Sequence, residues 1–329
     1  MPKKVTYLFG AGATHAEIQD IDPTNGRFLS EKGLLISDVS KRVMKIAQND
    51  SDFIKGVEEV TYREGPVNIE LLISLFETNR IPNAASKVIS LKNLVKSDIT
   101  KILTPKRRKD FYLHKALFEL HKLIANKEKL LGVISLNYDP VLDDAYKATH
   151  NNKIPNYCHT SYTSNDDKYF PLLKLHGSFN WTKIETYGKK KEIEIIPLGI
   201  NKNYLAPPYN FIWGRAFEIL AQCDILRIIG CSLNQNDLGL IDLLFKAHLA
   251  RNKYFEIQII DLPDTGKLIR KSYGFFKGIV AIEEIERPLI PLDDIQLPTA
   301  NPFKIWLKAK AQKMVNNKIS RTRYLKKCL

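Results

Sequence analysis

Apolar residues change their spacing twice along the chain. Val5 to Phe9 is a short, mostly apolar run that reads as a buried strand, and the glycine turn Gly10-Ala11-Gly12-Ala13-Thr14 follows at once, leading into a segment able to start a helix. From there to about residue 126 the spacing is helical, at Gly33 to Gln48, Asp52 to Glu59, Ile69 to Asn79, Ala84 to Leu103 and Lys109 to Asn126, and Val- or Ile-rich runs are scarce. Strand-type runs return at Leu131 to Leu136, Leu172 to Leu175, Ile193 to Ile196, Ile225 to Ile229 and Phe255 to Ile260, separated by helical or loop segments. Between Trp181 and Pro208 a polar stretch with Gly188 and the three lysines that follow it reads as a hairpin.

Apolar strands alternating with helices predict a parallel sheet covered on both faces. The expected fold is therefore α/β, a Rossmann-like parallel sheet with helices on both faces plus an inserted helical layer. Residues 1–30 and 127–290 would form the sheet domain, 31–126 the helical insertion and 291–329 a basic C-terminal helical tail.

The net charge of +14 changes this picture less than its size implies. Nine Lys or Arg and no acid fall between Lys304 and Leu329, which leaves 41 basic against 36 acidic residues in the rest of the chain. The same tail carries Ile305, Trp306, Leu307, Ala311, Met314, Val315 and Ile319, enough for one apolar stripe on a helix. A docked terminal helix with solvated lysine heads is weighed against a contact with nucleic acid or an acidic partner. No apolar stretch approaches the ~20 residues of a membrane span, so no membrane association is expected and the cytoplasm is the expected location. Cys158, Cys223, Cys231 and Cys328 show no Cys-x-x-Cys spacing, so neither a zinc ribbon nor a disulfide framework is expected, and no metal.

Polar turns at the ends of apolar strands carry the candidate chemistry, because ligands of open α/β sheets bind at the carboxyl ends of the strands. The turn Gly10 to Thr14 could bring backbone amides to a pyrophosphate at a helix N-terminus, or could be a tight structural turn; a third glycine of the dinucleotide pattern is replaced by His15. Asn137 and Asp139, just after Leu136, could hold a ribose hydroxyl or water and a carboxamide, or could cap the following helix. His176, 39 residues beyond Asn137, sits in Leu-His-Gly-Ser, and an imidazole can exchange a proton with a ribose hydroxyl or a water near neutral pH. Gly230 and Ser232 could hold phosphate or ribose; Asp237 could cap the helix Leu238 to Leu249; Asp261 could reach a ribose hydroxyl or form a turn. His114 and His121, seven residues apart, are expected at the surface or partly packed.

Taken together these residues resemble the sirtuin superfamily, and specifically the divergent sirtuin-like proteins of bacterial defence systems, over the first 20 residues and about 130 to 280. Gly10-Ala11-Gly12 resembles the family's phosphate loop, with Thr14 beside it. Asn137-Tyr138-Asp139 resembles its Asn-x-Asp ribose motif, Leu175-His176-Gly177-Ser178 its catalytic histidine, and Gly230-Cys231-Ser232 its second phosphate and ribose loop. Protein-deacylating members have a four-cysteine ribbon after the histidine, a glutamine before the asparagine and an Asp-Phe-Arg loop. Here Trp181 to Tyr204 holds no cysteine, Leu136 precedes the asparagine, and no such loop follows the glycines.

The resemblance implies NAD as substrate, hydrolysed to ADP-ribose and nicotinamide without a metal, with Asn137 on the ribose or water, Asp139 on the carboxamide and His176 as base. It also implies a regulated NAD-depleting effector of anti-phage defence that assembles as a homo-oligomer. Other functions stay open on the sequence: a non-catalytic NAD or ADP-ribose sensor, a nucleic-acid-associated subunit docking a helicase or nuclease, and, with the ribbon missing, a protein deacylase or ADP-ribosyltransferase.

Overall fold

Among the described residues eight strands follow one another as β1 (Lys3–Phe9), β2 (Glu128–Ser135), β3 (Leu172–Lys174), β4 (Ile184–Thr186), β5 (Lys189–Lys191), β6 (Ile225–Ile229), β7 (Glu256–Ile260) and β8 (Ile279–Ala281). The computed structural model describes residues 1–21, 33–47, 49, 68–78, 83–107, 111–159, 170–181, 184–186, 189–191, 204–234, 237–251, 255–273, 279–281 and 301–316. The helix expected at 52–59 and the strand expected at 193–196 lie outside them. β4 and β5 pair antiparallel as the expected hairpin. The other six strands form one sheet in the order β3-β2-β1-β6-β7-β8, and every pairing in it is parallel. Leaving the hairpin aside, that is the 3-2-1-4-5-6 order of the doubly wound dinucleotide-binding fold, whose crevice opens where the order reverses, between β1 and β6.

The helices are α1 (Ala11–Ile21), α2 (Ile36–Ala47), α3 (Ile69–Thr78), α4 (Ala84–Arg107), α5 (Tyr112–Leu123), α6 (Val141–Thr149), α7 (Tyr209–Gln222), α8 (Leu238–Leu249), α9 (Pro263–Ser272) and α10 (Pro302–Asn316). Alternation along the strands assigns the two faces. Val5, Tyr7 and Phe9 of β1, with Ile225 and Ile229 of β6, pack under α1, α5, α6 and α10. Leu8, Leu226, Ile228, Ile257 and Ile259 pack under α7, α8 and α9. α7 meets the sheet through Tyr209, Ile212, Trp213, Ala216, Ile219 and Leu220, a helical spacing that gives one continuous apolar stripe. The inserted layer has its own core, in which Val39 and Val43 of α2, Leu72 and Phe76 of α3, and Leu91 and Val95 of α4 meet.

Two elements sit deeper than their sequence position announces. α5 belongs to the core on the sheet, where Leu113, Ala116, Leu117 and Leu120 are buried. α10 docks on the same face with Phe303, Trp306 and Leu307 buried, each such side chain contributing ~2 kcal/mol of apolar burial. Residues 317–329 of the basic tail lie outside the described residues. His114 and His121 are buried rather than at the surface, because each answers a buried polar group that the sequence pattern does not reveal. His114 Nδ1 lies 3.1 Å from Glu17 Oε2, and His121 Nε2 lies 2.7 Å from the Tyr7 hydroxyl. That hydroxyl also accepts from the buried Arg227, whose guanidinium grips Glu128 at 2.6 and 2.8 Å and Gln258 at 2.8 Å beneath Trp306. No described helix is long and apolar enough to cross a membrane.

Candidate functional site

At the crevice between β1 and β6 two glycine turns lock together. Gly10 N donates to Ile229 O (3.0 Å), Gly12 N to Gly230 O (2.8 Å) and Ala13 N to Gly10 O (3.0 Å). A Cβ on Gly10 would fall 2.5 Å from Gly230 O, and one on Gly230, whose φ is +58°, 2.0 Å from Ala13 N. The glycines are therefore required by the approach of one strand end to the other, and three turn amides are engaged within the protein. Ala11 and Ser232 remain exposed at the mouth of the crevice, next to the N-terminus of α1. His15, at the position of a third glycine, instead faces the inserted layer, with Nδ1 3.5 Å from Leu34 N.

Asn137 and Asp139 follow β2 directly, and both are tied to the glycine turn. Asn137 Nδ2 donates to Gly10 O (2.9 Å) and to Thr14 Oγ1 (3.0 Å), and Thr14 donates to Asp139 Oδ2 (2.9 Å). Asp139 Oδ1 accepts from Val141 N (3.0 Å), so this carboxylate also fixes the start of α6. Of the two readings left open by the sequence, the hydrogen bond at the start of the following helix is present.

The Leu-His-Gly-Ser turn after β3 is fastened to this segment by a buried lysine. Lys174 Nζ donates to Asp139 O and Ser178 Oγ (both 2.5 Å) and pairs with Asp143 Oδ2 at 3.0 Å. Ser178 Oγ and Phe179 N both donate to Tyr138 O, at 3.1 and 2.9 Å. Burial pushes the Asp143 carboxyl up, but Lys174 and hydrogen bonds from Tyr157 and Asn180 outweigh it and hold it below the usual range. A buried pair of this kind is favourable only when its remaining lone pairs are satisfied, as they are here.

His176 is 1% exposed, between the rings of Tyr138 and Trp213, and its Nε2 lies 3.2 Å from Asp237 Oδ2. Asp237 Oδ1 accepts from Leu240 N (3.4 Å), the cap expected for α8. Behind Tyr138 stands Glu70 of α3, hydrogen-bonded to the tyrosine side chain. Burial, reinforced by Glu70 and Asp237, raises the Tyr138 phenol well above its ordinary value.

These turns enclose a cavity of about 440 Å³, within the usual size of small-molecule sites. Gly10, Ala11, Gly12, Thr14, Asn137, Asp139, Gly230, Ser232 and Asp261 all line it. Among the described residues His176 does not; it stands one layer back, and its partner Asp237 lines the wall. Part of the apolar wall comes from two unexpected places: Leu34, Ile36, Val39, Val95 and Ile99 of the inserted layer, and Pro302 and Phe303 of α10.

The charge of this lining is opposite to that of the chain. Glu70, Asp139, Asp237 and Asp261 line it, and among the described lining residues there is no Lys or Arg. Burial pushes the Asp261 carboxyl up to about 6, against hydrogen bonds from Leu262 N and the Thr265 side chain. The same effect raises the Cys231 thiol to about 12, which leaves it protonated and unsuited to nucleophilic attack. Cys158, Cys223 and Cys231 are free and buried, and no group of three or more His, Cys, Asp or Glu among the described residues could hold a metal ion.

Lys174, Asp143, Tyr138 and Glu70 are the site residues that sequence reasoning missed. Lys174 and Asp143 each precede or follow a recognised motif by a few residues, and a lysine inside a run of apolar strand residues was the available signal. Nothing in the helical spacing of Ile69 to Asn79 singles out Glu70.

No protein-family model matches the chain, and no curated protein matches it. Among solved structures it is similar to one described under the structural basis for the mechanism and regulation of Sir2 enzymes, at 14% identity, with 96% of this chain and 94% of that chain covered and a TM-score of 0.39. A Sir2 homologue triple mutant in complex with 2'-O-acetyl ADP ribose is similar at 12% identity, covering 97% and 95%, with a TM-score of 0.44. A Sir2 homologue serine-to-alanine mutant in complex with ADP ribose is similar at 13% identity, covering 97% and 95%, with a TM-score of 0.39. The strand order and the parallel register define the fold.

Proposed function

We propose that the protein hydrolyses the N-glycosidic bond of NAD, releasing nicotinamide and ADP-ribose. The observation that carries this reading is the link from Asn137 to Gly10 and Thr14, which joins the strand-end carboxamide to the glycine turn inside one cavity at the reversal of strand order. The diphosphate would lie at the N-terminus of α1 beside Ala11 and Ser232, where the helix dipole favours an anion and no lysine is needed. Asp261 would take a ribose hydroxyl, and Asn137 and Asp139 would hold the second ribose and the carboxamide.

In the reaction a water oxygen bonds to the anomeric carbon while the carbon–nitrogen bond breaks, its electron pair neutralising the pyridinium nitrogen. Nicotinamide leaves without protonation, so the protein has only to position the water and accept its proton. His176 and Asp237 form the acceptor, with Asp237 the member on the cavity wall. Neither a metal nor a thiol enters the scheme.

A second reading is favoured by one specific observation. His176 stands behind the wall rather than on it, and a cavity that binds NAD or ADP-ribose without turning it over would make the protein a sensor. Incubating the purified chain with NAD and measuring free nicotinamide separates the two: release that disappears in His176→Ala supports hydrolysis, whereas ADP-ribose binding with no release at any protein concentration supports the sensor. The regulated role in anti-phage defence, a homo-oligomer and a helicase or nuclease partner rest on the sequence resemblance.

A further inference from the structure

Glu70 reaches the cavity from the inserted layer, and its position is fixed by several bonds. It stands in the first turn of α3, where Asn68 Oδ1 accepts from Glu70 N (3.0 Å) and Leu71 N (3.3 Å), and Ser40 Oγ accepts from Ile69 N (3.0 Å). Ser74 Oγ donates to Glu70 O at 3.0 Å. Ile69, Leu72, Ile73 and Phe76 anchor the same helix in the core of the layer. The carboxylate is thus held on the cavity wall against Tyr138, between the two residues, Asn137 and Asp139, of the polar turn.

We propose that Glu70 determines which pyridine ring the site accepts, favouring a cationic ring that carries a carboxamide and rejecting one that carries a carboxylate. The inference rests on the dinucleotide reading given above. Asp139 accepts from Thr14 and from Val141 N, and Glu70 places a second fixed carboxylate on the same wall, so that two acceptors stand near a carboxamide N–H group. A ring carboxylate in the same place would meet Glu70 and Asp237 with no lysine or arginine in the described lining to offset them. Beside the apolar part of the wall that juxtaposition is costly, whereas a pyridinium is attracted by it. The two ends of the cavity then divide the ligand by charge: the helix N-terminus takes the diphosphate and the inserted layer takes the cation.

The test is rapid-mixing binding of NAD, of reduced NAD, of nicotinic acid adenine dinucleotide and of ADP-ribose to the full chain and to Glu70→Gln. The wild type is expected to bind NAD at least about tenfold more tightly than the nicotinic acid form, and Glu70→Gln to shrink that ratio about tenfold. A folded Glu70→Gln with an unchanged ratio, or a wild type with no preference, overturns the proposal while ADP-ribose binding leaves the dinucleotide reading standing. A wild type that binds none of the four removes both. Should Glu70→Gln fail to fold, the wild-type ranking decides: NAD first, the neutral reduced ring second and the nicotinic acid form last. Any other ranking overturns the proposal.

Discussion

His176 Nε2 lies 3.2 Å from Asp237 Oδ2, and both side chains are buried. If this pair accepts the proton of the attacking water, its two members are equally needed. Asp237→Asn is expected to lower nicotinamide release by about 10²- to 10⁴-fold, as is His176→Ala. Asparagine is as good a helix cap as aspartate, so a fall in the thermal midpoint of Asp237→Asn would report the lost contact with His176 and not the cap. Wild-type turnover in a folded Asp237→Asn would remove the aspartate from the reaction.

Asn137 bridges two strand ends, so its loss is expected to register in stability as well as in chemistry. Asn137→Ala withdraws the donors to Gly10 O and Thr14 Oγ1 and should cost about 1–2 kcal/mol in a urea titration, with NAD cleavage nearly abolished. Thr14→Val keeps the shape but takes the hydroxyl from both Asn137 and Asp139, and a similar loss of stability is expected.

Lys174 and Asp143 are fully buried, and neither tolerates the loss of the other. Lys174→Met should cost about 3–5 kcal/mol because it strands a carboxylate in the core, and it should release the His176 turn from Tyr138 and Asp139. Replacing both residues by apolar ones should recover part of the stability and none of the activity. A double variant that cleaves NAD normally would show that the clamp does not position the histidine.

Asp261 predicts a pH dependence with a definite sign. Its carboxyl titrates at about 6 in the fold and at ~3.9 when unfolded, so protonation favours the folded state. Relative to Asp261→Asn, the wild type is expected to be as stable near pH 4 and to lose on the order of 1–2 kcal/mol as the pH rises to about 6 and beyond, read from thermal midpoints. Ligand affinity should run the other way. An ionised Asp261 accepts from a ribose hydroxyl, so ADP-ribose should bind more weakly below pH 6 in the wild type and without that dependence in Asp261→Asn.

Much of the frame could be read from the sequence, since the strands containing Val5 to Phe9, Ile225 to Ile229 and Ile257 to Ile260 are covered on both faces and therefore run as mostly apolar segments, each broken by one polar residue, Thr6, Arg227 or Gln258. Asn137, Gly10 and Thr14 were legible because they follow such strands. What could not be read is whatever depends on distant partners. α5 and α10 have the spacing of any amphipathic helix, and nothing local says that one docks beside β1 and the other closes over it. His114 and His121 look like surface residues until Glu17 and Tyr7 are placed beside them. β8 has three residues, Ile279 to Ala281, too few for a pattern. Glu70 is one glutamate on one helix, and only the tertiary fold brings it to the cavity wall.

Pro302 and Phe303 share a cavity wall with Gly10 and Gly12, across almost the whole described chain. On a ribosome, the sheet and the inserted layer are made well before α10 emerges. The cavity therefore lacks a side until α10 has been translated and has docked Phe303, Trp306 and Leu307 on the sheet. A chain halted between Asp261 and Pro302 has the polar turns of the strand ends but lacks the wall that α10 supplies.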